Sequence, residues 1–259
     1  MAQHFYDKIH GWFDFSDIYA EAVTEAKDGA RFVEVGTWCG RSAAYMAVEI
    51  VNSGKRIDFY CVDTWRGSPA PQYQEMVRQH GSIFDAFMRS MGDGGVSEVV
   101  KPLISDSADA AHLFADHSLD FVFIDASHDF DGVRRDVAAW LPKVRVGGVF
   151  AGHDAGCPGL LNAVSAYVSM AQVSIRGASW FHRVTGADDS TLARTAGVAD
   201  LSMGVHAAYD LWRRARALGV VASAPSVAGG DDAEYRRKWG GPPGAEVFTV
   251  PYNVTTRNW

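Results

Sequence analysis

Between residues 31 and 170 the chain alternates, without a break, short and almost purely apolar runs with segments of helical periodicity. That alternation leaves few folds open. A strand that is apolar along its length is buried on both faces, and helices crossing over between parallel strands are what cover both faces. The runs lie at 32–35, 57–62, 99–104, 119–124 and 149–152, the last entered through a turn at Gly147-Gly148. Helices are expected over 14–28, started by Asp14 or Ser16, after the glycines at 36–40, up to about Met91, over 108–115, over 133–141 and from Pro158. Segments 173–176 and 179–184, parted by Gly177, read as a terminal antiparallel pair. The expected class is α/β, a doubly wound and mostly parallel sheet.

The texture changes at Gly186. Asp188-Asp189-Ser190 is linker-like, 201–218 is helical in pattern, and Gly240-Gly-Pro-Pro-Gly244 cannot be regular structure. The expected organisation is a ligand-binding domain over 1–185 and an extension over 186–259 that packs on it or on a neighbouring subunit, so a homo-oligomer stays open. A formal charge of −7 argues against nucleic acid as a partner, since Arg213-Arg214 and Arg236-Arg237-Lys238 are short clusters suited to a solvated face. No apolar run is long enough to span a bilayer, and Met-Ala-Gln-His-Phe-Tyr does not read as a secretory leader. Cys39, Cys61 and Cys157 have neither metal nor disulfide spacing. A reduced cytoplasmic setting is expected, in which the sequon at Asn253 has no role.

The chemistry begins at residues 31–42, Arg-Phe-Val-Glu-Val-Gly-Thr-Trp-Cys-Gly-Arg-Ser. A strand that turns through Gly36 and Gly40 into a helix brings backbone N–H groups close to a nucleotide-like ligand. The spacing lacks the third glycine of the dinucleotide fingerprint, and Glu34 stands two positions before the first. A carboxylate there repels a pyrophosphate and suits a ligand with a cationic amino group, such as S-adenosylmethionine. Thr37, Trp38 and Ser42 complete that turn.

Every strand ends in or near an acidic residue, at the sheet edge where open parallel sheets bind ligands. Asp63, with Thr64, is placed to accept hydrogen bonds from both ribose hydroxyls, or else to cap a helix. Trp65 either covers the adenosine or packs. Asp106 and Ser107 either face the adenine or cap the next helix. Asp125, His153 and Asp154 end neighbouring strands and should converge. Two carboxylates and an imidazole suit a divalent cation, Mg²⁺ if oxygen dominates and Mn²⁺ or another transition metal if His153 binds; alternatively they position substrate without metal. His128, three residues past Asp125, is suited to take a proton from a hydroxyl, or is a surface histidine at a helix start. His182 reads as a core or rim histidine.

Together these residues resemble class I S-adenosylmethionine-dependent methyltransferases, most nearly the small-molecule and sugar O-methyltransferases of the macrocin and cephalosporin-biosynthesis type. The resemblance covers roughly 11–185 and rests on 32–42, on Phe121-Val-Phe-Ile-Asp-Ala-Ser-His128 and on Gly147-Gly-Val-Phe-Ala-Gly-His-Asp154. It implies a Rossmann-like seven-stranded sheet whose last strand is antiparallel, with the methionine part of the cofactor near Glu34 and Gly36. It further implies Mg²⁺ at Asp125 and Asp154 and a base at His128; His153 stands where an Asp or Glu is usual. The reading is an O-methyltransferase acting on a sugar or other small polyol. Its rivals are a non-catalytic assembly protein on the same scaffold and, less favoured by Glu34 and the missing glycine, a nicotinamide-dependent oxidoreductase.

Overall fold

A computed structural model describes residues 1–67, 77–78 and 81–186. The helix expected at 201–218, both arginine clusters and the rest of the extension from 187 lie outside the described residues. Among those described, no helix is long and apolar enough to cross a membrane.

Seven strands form one sheet: β1 Ala30–Val35, β2 Ile57–Asp63, β3 Val100–Ile104, β4 Leu119–Ile124, β5 Val144–Gly152, β6 Val173–Arg176 and β7 Ser179–Arg183. Their order is β3-β2-β1-β4-β5-β7-β6. The first five are mutually parallel and β7 runs antiparallel to both β5 and β6. The order reverses between β1 and β4, the switch point at which doubly wound sheets open a crevice.

The helices are α1 Ser16–Glu25, α2 Arg41–Ser53, α3 Ile83–Asp93, α4 Ser107–Ala111, α5 Phe130–Trp140 and α6 Pro158–Ser165. Alternation along each strand divides the core in two. Phe32, Phe59, Phe121 and Phe123 pack with Tyr19, Met46 and Phe87 of α1, α2 and α3. Val33, Val35, Val122 and Phe150 pack with Val137 and Trp140 of α5 and Leu161 of α6. Each such fully buried side chain contributes roughly 1.5–3 kcal/mol.

Two expectations need correction and a third is met. The α1 start is not capped by a side chain: Phe15 is the N-cap residue and makes no such bond. Gly147-Gly148 is not a turn before β5 but a bulge within it, where pairing with β4 jumps from Leu119↔Val144 to Phe121↔Val149. A Cβ on Gly148 would lie 2.9 Å from the carbonyl oxygen of Asp120. His182 is core, 1% exposed, with Nδ1 at 3.2 Å from the Gln172 carbonyl oxygen.

The first fifteen residues form an arm laid along α2. Ala2 N–H donates to Asn52 Oδ1 at 2.7 Å, and His4 Nε2 meets Glu49 Oε1 at 2.8 Å. The His4 ring stacks on Tyr45 with centroids 4.4 Å apart. Arg41 Nη1 donates to the carbonyls of Gly11 at 2.7 Å and Ile9 at 3.3 Å. Residues 41, 45, 49 and 52 recur at helical spacing, so one face of α2 reads the arm from end to end and delivers residues 10–14 to the sheet edge.

Candidate active site

Four backbone bonds carry the sheet one residue past its strands. Gly36 N donates to Val62 O at 2.8 Å, Asp125 N to Val35 O at 2.7 Å, Ser105 N to Asp63 O at 3.0 Å and His153 N to Ile124 O at 3.0 Å. They align the strand ends along one edge, over which a cavity of about 1000 Å³ opens. That volume suits a cofactor together with a small substrate.

At one side of this edge the chain turns at Gly36 with φ 90°, where a Cβ would stand 2.1 Å from the Asp125 carbonyl oxygen. Only glycine lets β1 leave the sheet past the end of β4. Asp63 then ties two loops together. Its Oδ2 accepts from Trp38 N–H and its Oδ1 from Trp65 N–H, each at 2.8 Å. Burial pushes this carboxyl's pKa up, opposed by those backbone N–H donors. Asp63 stands on the cavity wall with Thr37, Trp38, Thr64 and Ser42. Of the four non-glycine residues with left-handed backbone among those described, Trp38, Trp65 and Asp154 all stand in loops at this edge. Strained backbone concentrated there is a mark of a functional site.

Three expected cofactor residues do not line the cavity. Glu34 alternates onto the α1–α2 face of β1, is 1% exposed and does not line the cavity. Its Oε1 accepts hydrogen bonds from Ser42 and, at 3.2 Å, from Tyr19, while Oε2 is buried without a partner. Burial raises its pKa to about 8. Its reach to the cavity is indirect, through Ser42. Trp65 packs rather than covers: it is 6% exposed, sits between Phe84 and Phe87 at 5.0 Å each and donates Nε1–H to Trp38 O at 2.8 Å. Gly40, φ 87°, is the N-cap residue of α2 behind the turn rather than on the wall.

Asp106 takes the capping role expected as one alternative, and both Asp106 and Ser107 stand on the cavity wall. Asp106 caps α4 through Ala108 N–H at 3.1 Å, lies 3.5 Å from Arg135 and lines the cavity. Ser107 also lines it and accepts from Trp140 Nε1–H at 3.0 Å. Asp136 on α5 was not anticipated from sequence. It lines the cavity, is 2% exposed and has a pKa raised to about 6 by burial, opposed by a hydrogen bond from Ser107. The signal was available: Asp136 occupies the inward stripe Val133, Asp136, Val137, Trp140, where a carboxylate is out of place.

At the other side of the edge, Asp125, His153 and Asp154 converge as expected, and His128 joins them. His128 Nδ1 lies 2.5 Å from Asp154 Oδ2. His153 Nδ1 is 3.4 Å from Asp154 Oδ1 and 3.8 Å from Asp125 Oδ1. Burial raises Asp125 to about 6, opposed by His153. Burial also works to raise Asp154, but the two imidazoles outweigh it and hold this carboxyl well below the usual range. The bond to Asp154 raises His128. For His153, burial opposes the charged form and the surrounding carboxylates outweigh it, giving about 9.

Donor atoms of Asp125, His128 and Asp154 lie within 4.8 Å of one another. This set fits a divalent cation, but it differs from the expected one by a residue. His153 directs Nε2 to Asp14 Oδ1 at 2.8 Å, and His128 takes the place expected for it. Residues 10–14 of the arm complete the wall, and nothing in their composition announced it.

Residues 33–155 match the family model described as a methyltransferase domain. The structure is similar to that of the O-methyltransferase NovP, at 18% identity over 66% of this chain and 79% of that one, with a TM-score of 0.52. It also matches a SAM-dependent O-methyltransferase from Thermotoga maritima, at 14% identity over 68% of each chain and a TM-score of 0.48. A third match is CalS11, a TDP-rhamnose 3′-O-methyltransferase of calicheamicin biosynthesis, at 16% identity over 65% of this chain and 76% of that one, with a TM-score of 0.44.

Proposed function

We propose, from the methyltransferase domain that residues 33–155 carry, that this chain transfers a methyl group from S-adenosylmethionine to a hydroxyl of a sugar or similar small molecule. The observation that carries the reading is that one cavity is walled both by the Asp63 loops and by the His128–Asp154 pair. A cofactor subsite and a proton acceptor thus stand on the same sheet edge.

The cavity residues fit the cofactor. The Gly36 turn is bare of Cβ, and the Asp63 carboxylate stands on the cavity wall at the end of the second strand, where a ribose hydroxyl would meet it. S-adenosylmethionine supplies the methyl group when bound there. Asp154 accepts the His128 Nδ1 proton, which leaves Nε2 as the nitrogen that takes the proton of the reacting hydroxyl. The carboxylate fixes the tautomer and stabilises the imidazolium that results, as an orienting acid does in a catalytic triad. Asp125 adds negative charge beside that imidazolium. Asp125, Asp154 and His128 would hold a divalent cation, whose chemistry is to lower the pKa of a bound hydroxyl. The imidazole nitrogen favours Mn²⁺ over Mg²⁺ there. Nδ1 of His128 cannot serve the metal and Asp154 at once.

The test is calorimetric titration with S-adenosylhomocysteine, with NAD⁺ as control, on wild type and Asp63→Ala. Micromolar binding lost in the variant supports the reading, and no binding to wild type ends it. Turnover before and after chelation, with Mn²⁺ or Mg²⁺ restored, separates the metal-held from the Asp154-held histidine.

A further inference from the structure

One wall of the cavity carries an aromatic pair that the reaction above does not use. Trp12 is 73% exposed, and its indole lies parallel to that of Trp38, with centroids 5.6 Å apart and planes 10° from each other. His10 meets the Trp38 ring at a steep angle, 5.0 Å away. A single exposed tryptophan is ordinary on a protein surface. This one is held in place. On its N-terminal side Arg41 grips the Gly11 carbonyl at 2.7 Å, and two residues on, Asp14 is bonded to His153 at 2.8 Å. Trp12 therefore spans the interval between the loop after β1 and the histidines after β4 and β5, on the wall of the same cavity.

We propose that Trp12, backed by Trp38, is the stacking platform of the acceptor subsite, and that its ligand is a pyranose ring. The inference rests on the methyl-transfer reading and names the acceptor's class. An indole face takes an apolar surface with little entropy lost, because the side chain is already fixed. The far wall sets the carboxylates of Asp14, Asp125 and Asp154 among the imidazoles of His128 and His153, so it offers both hydrogen-bond acceptors and donors to a ring of hydroxyls. A pyranose answers both walls. It shows a C–H face to the indole and an edge of hydroxyls to the carboxylates and to His128. A flat phenol offers one or two hydroxyls at most and leaves the other acceptors unpaired.

The experiment is saturation-transfer NMR on the full chain saturated with S-adenosylhomocysteine. The probes are methyl rhamnopyranoside and methyl glucopyranoside, with catechol as the planar competitor. The proteins are wild type, Trp12→Ala and Trp12→Phe. The expected result is strongest saturation on ring C–H protons. Trp12→Ala should weaken sugar binding about tenfold, which is ~1.4 kcal/mol, and Trp12→Phe should restore most of it. Affinity for S-adenosylhomocysteine should stay within about twofold of wild type, which also certifies the folded state. Sugar binding unchanged in Trp12→Ala overturns the proposal, as does binding of catechol alone or of none of the pyranosides. Absence of S-adenosylhomocysteine binding in wild type would instead fell the methyl-transfer reading itself.

Discussion

His153 and Asp14 stand 139 positions apart in sequence and are joined by a 2.8 Å hydrogen bond between Nε2 and Oδ1. The bond turns His153 toward the arm and leaves His128 to face Asp154. It also closes the cavity wall, because Asp14 ends the segment that Arg41 holds at Gly11.

Breaking that bond should loosen the arm without unfolding the domain. Asp14 is largely exposed, and exposed pairs contribute about 0–1 kcal/mol. Asp14→Ala is expected to leave the melting temperature nearly unchanged while amide exchange at residues 9–13 speeds up by an order of magnitude or more. Hydrogen exchange read by mass spectrometry checks it; unchanged protection would mean that Arg41 alone holds the wall.

Asp63 organises the loops as well as the cavity. Asp63→Ala leaves the Trp38 and Trp65 N–H groups without their acceptor, at a cost of roughly 1–3 kcal/mol each when buried. Chemical denaturation should show that loss alongside weaker S-adenosylhomocysteine binding. Asp63→Asn, which keeps one acceptor oxygen, should recover part of the stability and little of the affinity.

Glu34 gives the pH dependence a definite sign. Its pKa is raised from an ordinary 4.5 to about 8, chiefly by burial. The unfolded chain therefore releases this proton at lower pH than the folded one. Stability from the neutral carboxyl is fully present below 4.5 and is lost progressively as pH rises toward 8. Glu34→Gln, neutral throughout, should flatten that fall. The decisive quantity is the difference between the two unfolding free energies at pH 5 and pH 8, and equal slopes would show that the raised pKa is wrong.

His128→Ala is expected to reduce turnover by about 10²–10⁴-fold, the range for a positioned general base. Cofactor affinity should change less than about twofold, since His128 stands by Asp154 and not by Asp63. Single-turnover kinetics with calorimetry on the same sample distinguishes this from a binding defect. Full turnover in the variant would remove His128 from the chemistry.

The parallel strands were legible because period and composition agree locally: five apolar runs, each followed by a helical stripe. The convergence of Asp125, His153 and Asp154 followed from adjacency of β4 and β5 in a doubly wound sheet, whereas the place of His128 in the donor set did not. Glu34 was misplaced because its neighbours suggested a ligand, whereas side-chain alternation on β1 sends it beneath α2. Trp65 depended on Phe84 and Phe87, which lie some twenty residues on and whose approach no local pattern encodes. The Gly147-Gly148 bulge was read as a turn because two glycines serve either. Asp136 was a local conflict, a charge in a core stripe, and conflicts of that kind are where functional residues tend to hide. The arm was invisible because its contacts to α2 are polar and stacking pairs without a period of their own.

The arm along α2 has a consequence for how such a cavity can diversify. Four fixed points on a rigid helix act as a ruler, and one turn of that ruler is about 5.4 Å. A residue inserted or deleted between His4 and Gly11 would shift the two anchors against each other by up to about 3.6 Å, so that Glu49 and Arg41 could no longer both be met without a bulge in the arm. Chain length over those residues is therefore a constraint on the cavity wall in its own right.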